Sequence, residues 1–248
     1  MNIEGKTIIL TGARRIGQSV AEELAKKGAN LAITYRSSKE ESETMCQACI
    51  ATGVKAAPFM ADLSKESDIK RVVAEILEKF GKINGLVHMA ANYPKTPWDS
   101  LTEEAFNTTF DVISKSTFLL GKIVGDALLK NNAENNIKGK MVFFSDWAAN
   151  RAPYKDYSPY LAAKGSVETF TKVFAVELAP NITVNCIAPG PIWRPPDLTA
   201  EEDKEVAAHT LLKPWPGPEE ISKAVLYFID ADFVTGVILP VDGGRSIA

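Results

Sequence analysis

The sequence predicts an α/β fold, a Rossmann-type doubly wound parallel sheet of about seven strands with helices on both faces. Three observations lead there. Short apolar runs alternate with amphipathic stretches from one end of the chain to the other, with no linker or repeat. The chain opens on strand, glycine turn and helix. Its chemically distinctive residues cluster just after the apolar runs, where sheets of this kind bind ligands.

The elements follow in order. Residues 7–11, TIILT, read as a first strand. Gly12, Arg14, Arg15 and Gly17 form a turn into a helix over about 16–27, with Ile16, Val20 and Leu24 on one face and Gly28 at its end. Glycines there let the backbone approach a pyrophosphate, and a helix N-terminus favours its charge. Residues 29–35 read as a second strand. Its last residue is Tyr35, and Arg36, Ser37 and Ser38 follow, where an NAD-preferring site usually has an acidic residue for the ribose 2′-hydroxyl. An arginine with two hydroxyls, and Arg14 nearby, suits the 2′-phosphate of NADPH instead. A helix over 39–52 leads to a third strand at 54–60, then Asp62 and Leu63. Asp62 can accept from an adenine amine, or cap the helix over 65–80 with Ser64. A fourth strand is read at 85–89, followed by Ala90 to Pro94. One long helix is read over 102–131, then a fifth strand at 140–145, a helix over 158–178 and a sixth strand at 181–188. Residues 189–218 hold seven of the fourteen prolines, so they read as a substrate loop or lid with a short helix at about 199–209. A helix over 219–229 and a strand at 236–241 close the chain.

At 248 residues and 46% hydrophobic composition the chain can bury a full core. The net charge of −3 and the absence of basic runs argue against a nucleic-acid partner. The first residues lack a signal-peptide pattern and no stretch approaches a membrane span, so a soluble, cytoplasmic protein is expected. Cys46 and Cys49 sit in a helical stretch without a second ligand pair, and Cys186 lies elsewhere; they read as ordinary thiols. His88 ends a buried strand and reads as packed, and His209 as a solvated loop residue. No metal-ligand cluster is visible.

The chemistry concentrates in residues 145–164, SDWAANRAPYKDYSPYLAAK. Tyr160 and Lys164 are four apart, so on a helix they share one face about 6 Å apart. An ammonium beside a phenol favours the phenolate and draws its pKa down from about 10. Such a tyrosine can exchange a proton with a substrate. Ser145 and Asp146 end the apolar run before it, and either can complete the site.

TGARRIG, ADL, YLAAK, VNCIAPGPI and VTGVILPVDGG together resemble the short-chain dehydrogenase/reductase family over essentially the whole chain. The Arg14–Arg15 loop, the Tyr35-Arg36-Ser37 turn, Asp146, PGPIW and DGGRS look most like its pteridine reductase branch. The resemblance implies one dinucleotide-binding oxidoreductase domain over 1–248, using NAD(P)H to reduce a C=N or C=O group or running the reverse oxidation, and the Arg36 turn points to NADPH. It implies Tyr160 as proton donor and Lys164 holding the nicotinamide ribose. Pro189, Gly190 and Ile192 would border the nicotinamide, Ala90 would offer a backbone contact to adenosine, and the assembly would be a homotetramer. On a pterin or dihydrofolate-like substrate, Asp146 would pair with the amino edge, and Tyr93 and Trp193 would stack on the ring. Four positions depart from the family pattern. Four residues separate Gly12 and Gly17 where the family has five, with the middle glycine missing. His88-Met89-Ala90-Ala91 replaces NNAG. Ile113 stands where a helix asparagine is expected. The serine thirteen residues before the tyrosine falls on Trp147, or on Asp146 with one inserted residue. Asp146 is preferred, because tryptophan cannot do acid/base work, and Ser145 is one further back. A ketone reductase, such as a 3-oxoacyl thioester reductase, and an NADP-binding regulatory protein with little turnover are the alternatives.

Overall fold

The computed structural model describes residues 1–12, 14–196 and 198–248. Ala13 of the TGARRIG loop and Asp197 of the 189–218 segment lie outside the described residues. Seven strands form one parallel sheet: β1 (Thr7–Thr11), β2 (Asn30–Tyr35), β3 (Ala56–Met60), β4 (Gly85–His88), β5 (Gly139–Phe144), β6 (Ile182–Pro189) and β7 (Ile238–Val241). Their order is β3-β2-β1-β4-β5-β6-β7. The expected doubly wound sheet is present, and the chain reverses its direction of growth between β1 and β4. That junction opens a crevice at the strands' carboxyl ends, flanked by the residues after β1 and β4.

Both faces of the sheet are covered, which is why its strands are nearly uninterrupted apolar runs. Side chains alternate along β1: Ile9 points into one core, Ile8 and Leu10 into the other. The first core is closed by α3 (Glu66–Phe80), α5 (Ser116–Leu128) and α6 (Ser158–Glu177). In α3, Ile69, Val72, Val73 and Ile76 recur at helical spacing and are buried. The second core is closed by α1 (Ile16–Lys26), α2 (Lys39–Ile50) and α8 (Glu219–Asp230). Val20 and Leu24 of α1 face Val225 and Phe228 of α8 within it, each such side chain contributing roughly 1.5–3 kcal/mol by burial.

The single long helix expected over 102–131 is interrupted. α4 (Glu103–Phe110) begins with Thr102 accepting from Ala105 N at 3.1 Å. A π-helical turn over Asp111–Lys115 then separates it from α5. The Ser116 hydroxyl donates to Val112 O at 2.6 Å, and the Thr117 hydroxyl to Ile113 O at 2.6 Å. These hydroxyls draw on the carbonyls of the widened turn, a local competition with the helix ladder that apolar periodicity does not reveal. Between β6 and α8, α7 (Ala200–Ala208) is closed by a capping box: Glu202 N donates to Thr199 Oγ1 and Thr199 N to Glu202 Oε2. Cys46, Cys49 and Cys186 are buried free thiols. Burial pushes Cys46 and Cys186 up to about 12 and Cys49 to about 11, so none presents a reactive thiolate at neutral pH.

Candidate active site

The crevice at the topological switch holds a cleft of about 380 Å³. Gly12, Arg14, Tyr35, Arg36, Ser37, Asp62, Leu63 and Ala90 line it, so eight cofactor-binding residues expected from sequence come together on one surface. Gly12 sits at φ +72°, and a Cβ there would lie 2.6 Å from Ala90 N, so only glycine fits between the ends of β1 and β4. The Thr11 hydroxyl oxygen accepts from Met89 N and Ala90 N, both at 3.1 Å. Its own proton therefore goes to His88 Nδ1 at 2.7 Å. His88 Nε2–H then donates to Ser116 Oγ at 3.0 Å, fixing one neutral tautomer. Burial holds His88 down at about 3, with the Lys164 charge adding to the effect. His88 is thus a packed clamp between β1, β4 and α5, and no proton donor at working pH.

The remaining nucleotide positions are spread around the cleft. Arg15 occupies the α1 N-cap at φ 53°. Ile16 opens α1, and the Gly17 amide donates to Arg14 O at 3.0 Å. Arg14 pairs with Glu41 Oε1 at 2.8 Å. Asp62 does not cap α3, whose N-cap is Lys65 without a side-chain bond; its Oδ1 instead closes a local turn, accepting from Ser64 N at 3.1 Å and Ser64 Oγ at 2.7 Å. Those bonds hold its carboxyl below the usual range. Pro189 ends β6, while Gly190 packs so tightly on β7's end that a Cβ would lie 2.5 Å from Asp242 Cα. Ile192 lines a second cavity of about 340 Å³, bounded by Pro191, Leu212, Pro214 and Pro240. Thr34, Glu41, Met45 and Val112 also line the main cleft and went unnoticed in the sequence; Met89 and Asn92, from the stretch after β4, line it too. Asn92 Oδ1 is buried there without a hydrogen-bond partner. It lies four residues past His88, at a loop position that no periodicity marks.

α6 carries Tyr160 and Lys164 on one buried face, 8% and 4% exposed. The Tyr160 hydroxyl donates to Asp146 Oδ2 at 2.9 Å. Ser145, the other candidate, turns away: its hydroxyl reaches Glu168 Oε1 at 3.0 Å and Lys164 O at 3.1 Å. Asp146, not Ser145, is the group placed on the phenol. Lys164 Nζ donates to Phe144 O at 2.7 Å and lies 5.8 Å from the Tyr160 ring centroid. The expected lowering of the Tyr160 pKa is therefore reversed. Burial, then the neighbouring Asp146 charge, pushes the phenol well above its usual 10. Burial also raises Asp146, although Ala148 N, Tyr160 and Lys164 favour its charged form. Burial pulls Lys164 down to about 8, against the attraction of Asp146. The resting site holds a protonated phenol on a carboxylate, with an ammonium behind it.

Aromatic rings wall this pair. Tyr93 stacks on Tyr157 at 4.3 Å and sets its edge to Tyr160 at 4.7 Å. Its hydroxyl donates to Tyr154 at 3.1 Å. Trp147 stacks beside Tyr154 at 6.1 Å, and the Arg245 guanidinium sits over the Trp147 ring, 4.8 Å from its centroid. Trp193 lies outside this cluster, about half exposed, on the segment after β6. Ile113 is buried in the π-helical turn. Among the described residues no group of three histidine, cysteine or acidic side chains is arranged to hold a metal.

The chain as a whole resembles known proteins. A family model described as Enoyl-(Acyl carrier protein) reductase matches residues 12–246. Hydroxynaphthalene reductase-like protein Arp2 of Metarhizium guizhouense is 30% identical, over 98% of this chain and 96% of its own length. An uncharacterized oxidoreductase, YhxC of Bacillus subtilis, is 32% identical over 99% of this chain and 86% of its own. A short-chain dehydrogenase/reductase from Serratia marcescens superposes with a TM-score of 0.90 at 25% identity, over 99% of this chain and 100% of that one. A short chain dehydrogenase from Burkholderia cenocepacia in complex with NADP gives a TM-score of 0.90 at 26% identity, over 99% of both chains. The chain is an oxidoreductase and belongs to the short-chain dehydrogenase/reductase family.

Proposed function

We propose that this chain is an NADPH-dependent reductase that delivers hydride to a C=N or C=O carbon of a flat bicyclic ring, first of all a pterin or dihydrofolate-like one. The observation that carries this reading is the Tyr160–Asp146 pair within a wall of aromatic rings. A carboxylate accepts from the N–H donors of an amino-substituted heterocycle, which a simple ketone lacks. Tyr93, Tyr154 and Tyr157 offer flat surface to such a ring.

The cleft residues fit NADPH. Gly12 lets the backbone after β1 approach Ala90 as only glycine can, Asn92 Oδ1 lacks a donor, and Arg36, Ser37 and Arg14 line the cleft with donors suited to a 2′-phosphate. When bound, NADPH supplies the hydride. Lys164 Nζ holds the ribose, with Pro189, Gly190 and Ile192 at the nicotinamide and the backbone at Ala90 near the adenosine. Arg15, Ile16, Gly17, Asp62 and Leu63 complete the nucleotide site. Tyr160 keeps its proton until substrate arrives and releases it to the ring nitrogen or oxygen as charge develops there. The Tyr160 oxygen then regains a proton from water, since the Asp146 carboxylate, which accepts from it, has none to return. The segment 189–218, with Trp193, closes over the pocket as a lid within a single-domain enzyme.

Purified protein incubated with NADPH and dihydropterin, dihydrofolate or biopterin tests the reading. NADPH oxidation with one of them supports it; none with any of them sinks the pterin assignment. The Arp2 relatives favour a second reading, a hydroxynaphthalene-type ring whose hydroxyls bond Asp146. Turnover of such a ring without pterin turnover selects it, and turnover of only a 3-oxoacyl thioester selects the ketone alternative. A homotetramer is part of the proposal. Exposed Phe118, Val173 and Val176 on α5 and α6, and Tyr227 and Phe233 on and after α8, offer two apolar faces for it. Sedimentation velocity showing a monomer would remove that part.

A further inference from the structure

Glu168 lies four residues past Lys164 and eight past Tyr160, so all three share one face of α6. It is a buried carboxylate, 5% exposed, and three donors converge on it. Ser145 Oγ reaches Oε1 at 3.0 Å, Arg151 Nη1 reaches Oε1 at 3.0 Å, and Asn150 Nδ2 reaches Oε2 at 2.8 Å. These donors come from the two ends of one loop, and Asp146 lies between them. The approach is close: a Cβ at Gly165 would lie 3.1 Å from Asn150 Oδ1. The loop's own bonds complete its shape. Asp146 Oδ1 accepts from Ala148 N at 2.9 Å, and Trp147 N donates to Pro189 O at 3.1 Å.

We infer that Glu168 is a positioning residue, a clasp that binds both ends of the 145–151 loop to α6 and thereby fixes Asp146 Oδ2 on the Tyr160 hydroxyl. The inference rests on the proposed roles of Asp146 and Tyr160 and deepens them. Ser145 has a role in it as well, since its hydroxyl is one arm of the clasp. Without the clasp the Ser145 end would keep its bonds to Lys164 O and to β6, but the Asn150–Arg151 end would lose its carboxylate on α6, leaving Asp146 anchored from one side while Tyr160 and Lys164 stay fixed on their helix. An ångström of misplacement at reacting groups costs about a hundredfold in rate. Arg151 is about a quarter exposed and can turn to water when its partner is removed, which limits the charge left stranded.

The test compares Glu168→Ala and Glu168→Gln with wild type by three readouts: hydrogen exchange of the 145–157 segment, NADPH dissociation constant by fluorescence titration, and kcat with KM. For Glu168→Ala the clasp predicts faster exchange confined to that loop, kcat lowered at least about tenfold, and NADPH affinity within about twofold of wild type. Glu168→Gln, which keeps one acceptor oxygen and the side-chain shape, should recover most of kcat. Unchanged loop exchange or unchanged kcat in Glu168→Ala overturns the inference. So does exchange that rises throughout α6 with activity following the folded fraction. If Glu168→Ala does not fold, Asn150→Ala and Arg151→Met each remove one arm; a loosened loop with lowered kcat supports the clasp, and wild-type values in both refute it. A wild type that oxidises NADPH with no ring substrate refutes the proposed function, and the exchange measurement still judges the clasp.

Discussion

Tyr160 donates its phenolic hydrogen to Asp146 Oδ2 across 2.9 Å, inside a pocket where both groups are held toward their protonated forms. The proton held on Tyr160 is available to a substrate. Removing the hydroxyl tests that directly. Tyr160→Phe should lower kcat by at least about a thousandfold, within the range of general acid catalysis. NADPH affinity should stay within a few fold, measured by fluorescence titration. Wild-type turnover in this variant would refute the proton-donor role.

Cofactor choice should follow the turn after β2. Arg36 and Ser37 line the cleft mouth beside Arg14. Arg36→Asp should raise the KM for NADPH by roughly tenfold to a hundredfold, the value of one or two charge-assisted bonds, and improve NADH. Steady-state kinetics with both cofactors gives the ratio. An unchanged preference would move the 2′-phosphate site elsewhere.

The buried Lys164 ammonium makes stability depend on alkaline pH. Burial depresses its folded pKa to about 8 from the ordinary lysine value of 10.5. Between those values the unfolded chain holds a proton that the folded chain has released. Stability therefore rises with pH in this window, by about 1.4 kcal/mol per unit from this group alone. Urea denaturation of the cofactor-free protein at pH 7 and pH 9 measures it. Lys164→Met should remove that contribution from the slope.

At the opposite end of the sheet, Lys140 is fully buried in β5 and donates to Asp232 Oδ1 at 2.6 Å, which also accepts from the Met1 ammonium at 2.7 Å. These bonds overcome the cost of burial and bring Asp232 down to about 2. Its contribution is complete above the unfolded value of about 3.9 and disappears as pH falls through about 2. Asp232→Ala strands the Lys140 charge and should cost about 3 kcal/mol at neutral pH, read by urea denaturation. NADPH affinity of the folded fraction should not change.

The sheet was legible because both of its faces are buried, so each strand appears as an apolar run between turns, as TIILT and NITVNCIA do. The cleft was legible for a similar reason: Gly12 and Arg36 follow their strands directly, and Asp62 and Ala90 come one residue later. The π-helical turn at Asp111–Lys115 was not, because it depends on Ser116 and Thr117 hydroxyls that apolar spacing ignores. The ionisation of Tyr160 was not either. Spacing places Lys164 beside it, but the sign is set by burial and then by the Asp146 charge, neither of which spacing shows. Ser145 and Asp146 are adjacent in sequence, and only the side-chain directions separate a clasp from a proton partner. Glu168 had a visible signal, the third member of a four-residue spacing after Tyr160 and Lys164.

In the proposed function, an acid at position 146 selects a nitrogen-bearing ring while Tyr160 supplies the proton. The most direct measurement is the ratio of kcat/KM for dihydropterin to that for a 3-oxoacyl thioester, in wild type and in Asp146→Ser, with NADPH saturating. The ratio should be well above one in wild type and fall at least about tenfold in Asp146→Ser, the loss of one or two charge-assisted bonds to the ring. An equal ratio in the two proteins, or a wild type that prefers the thioester, would contradict it.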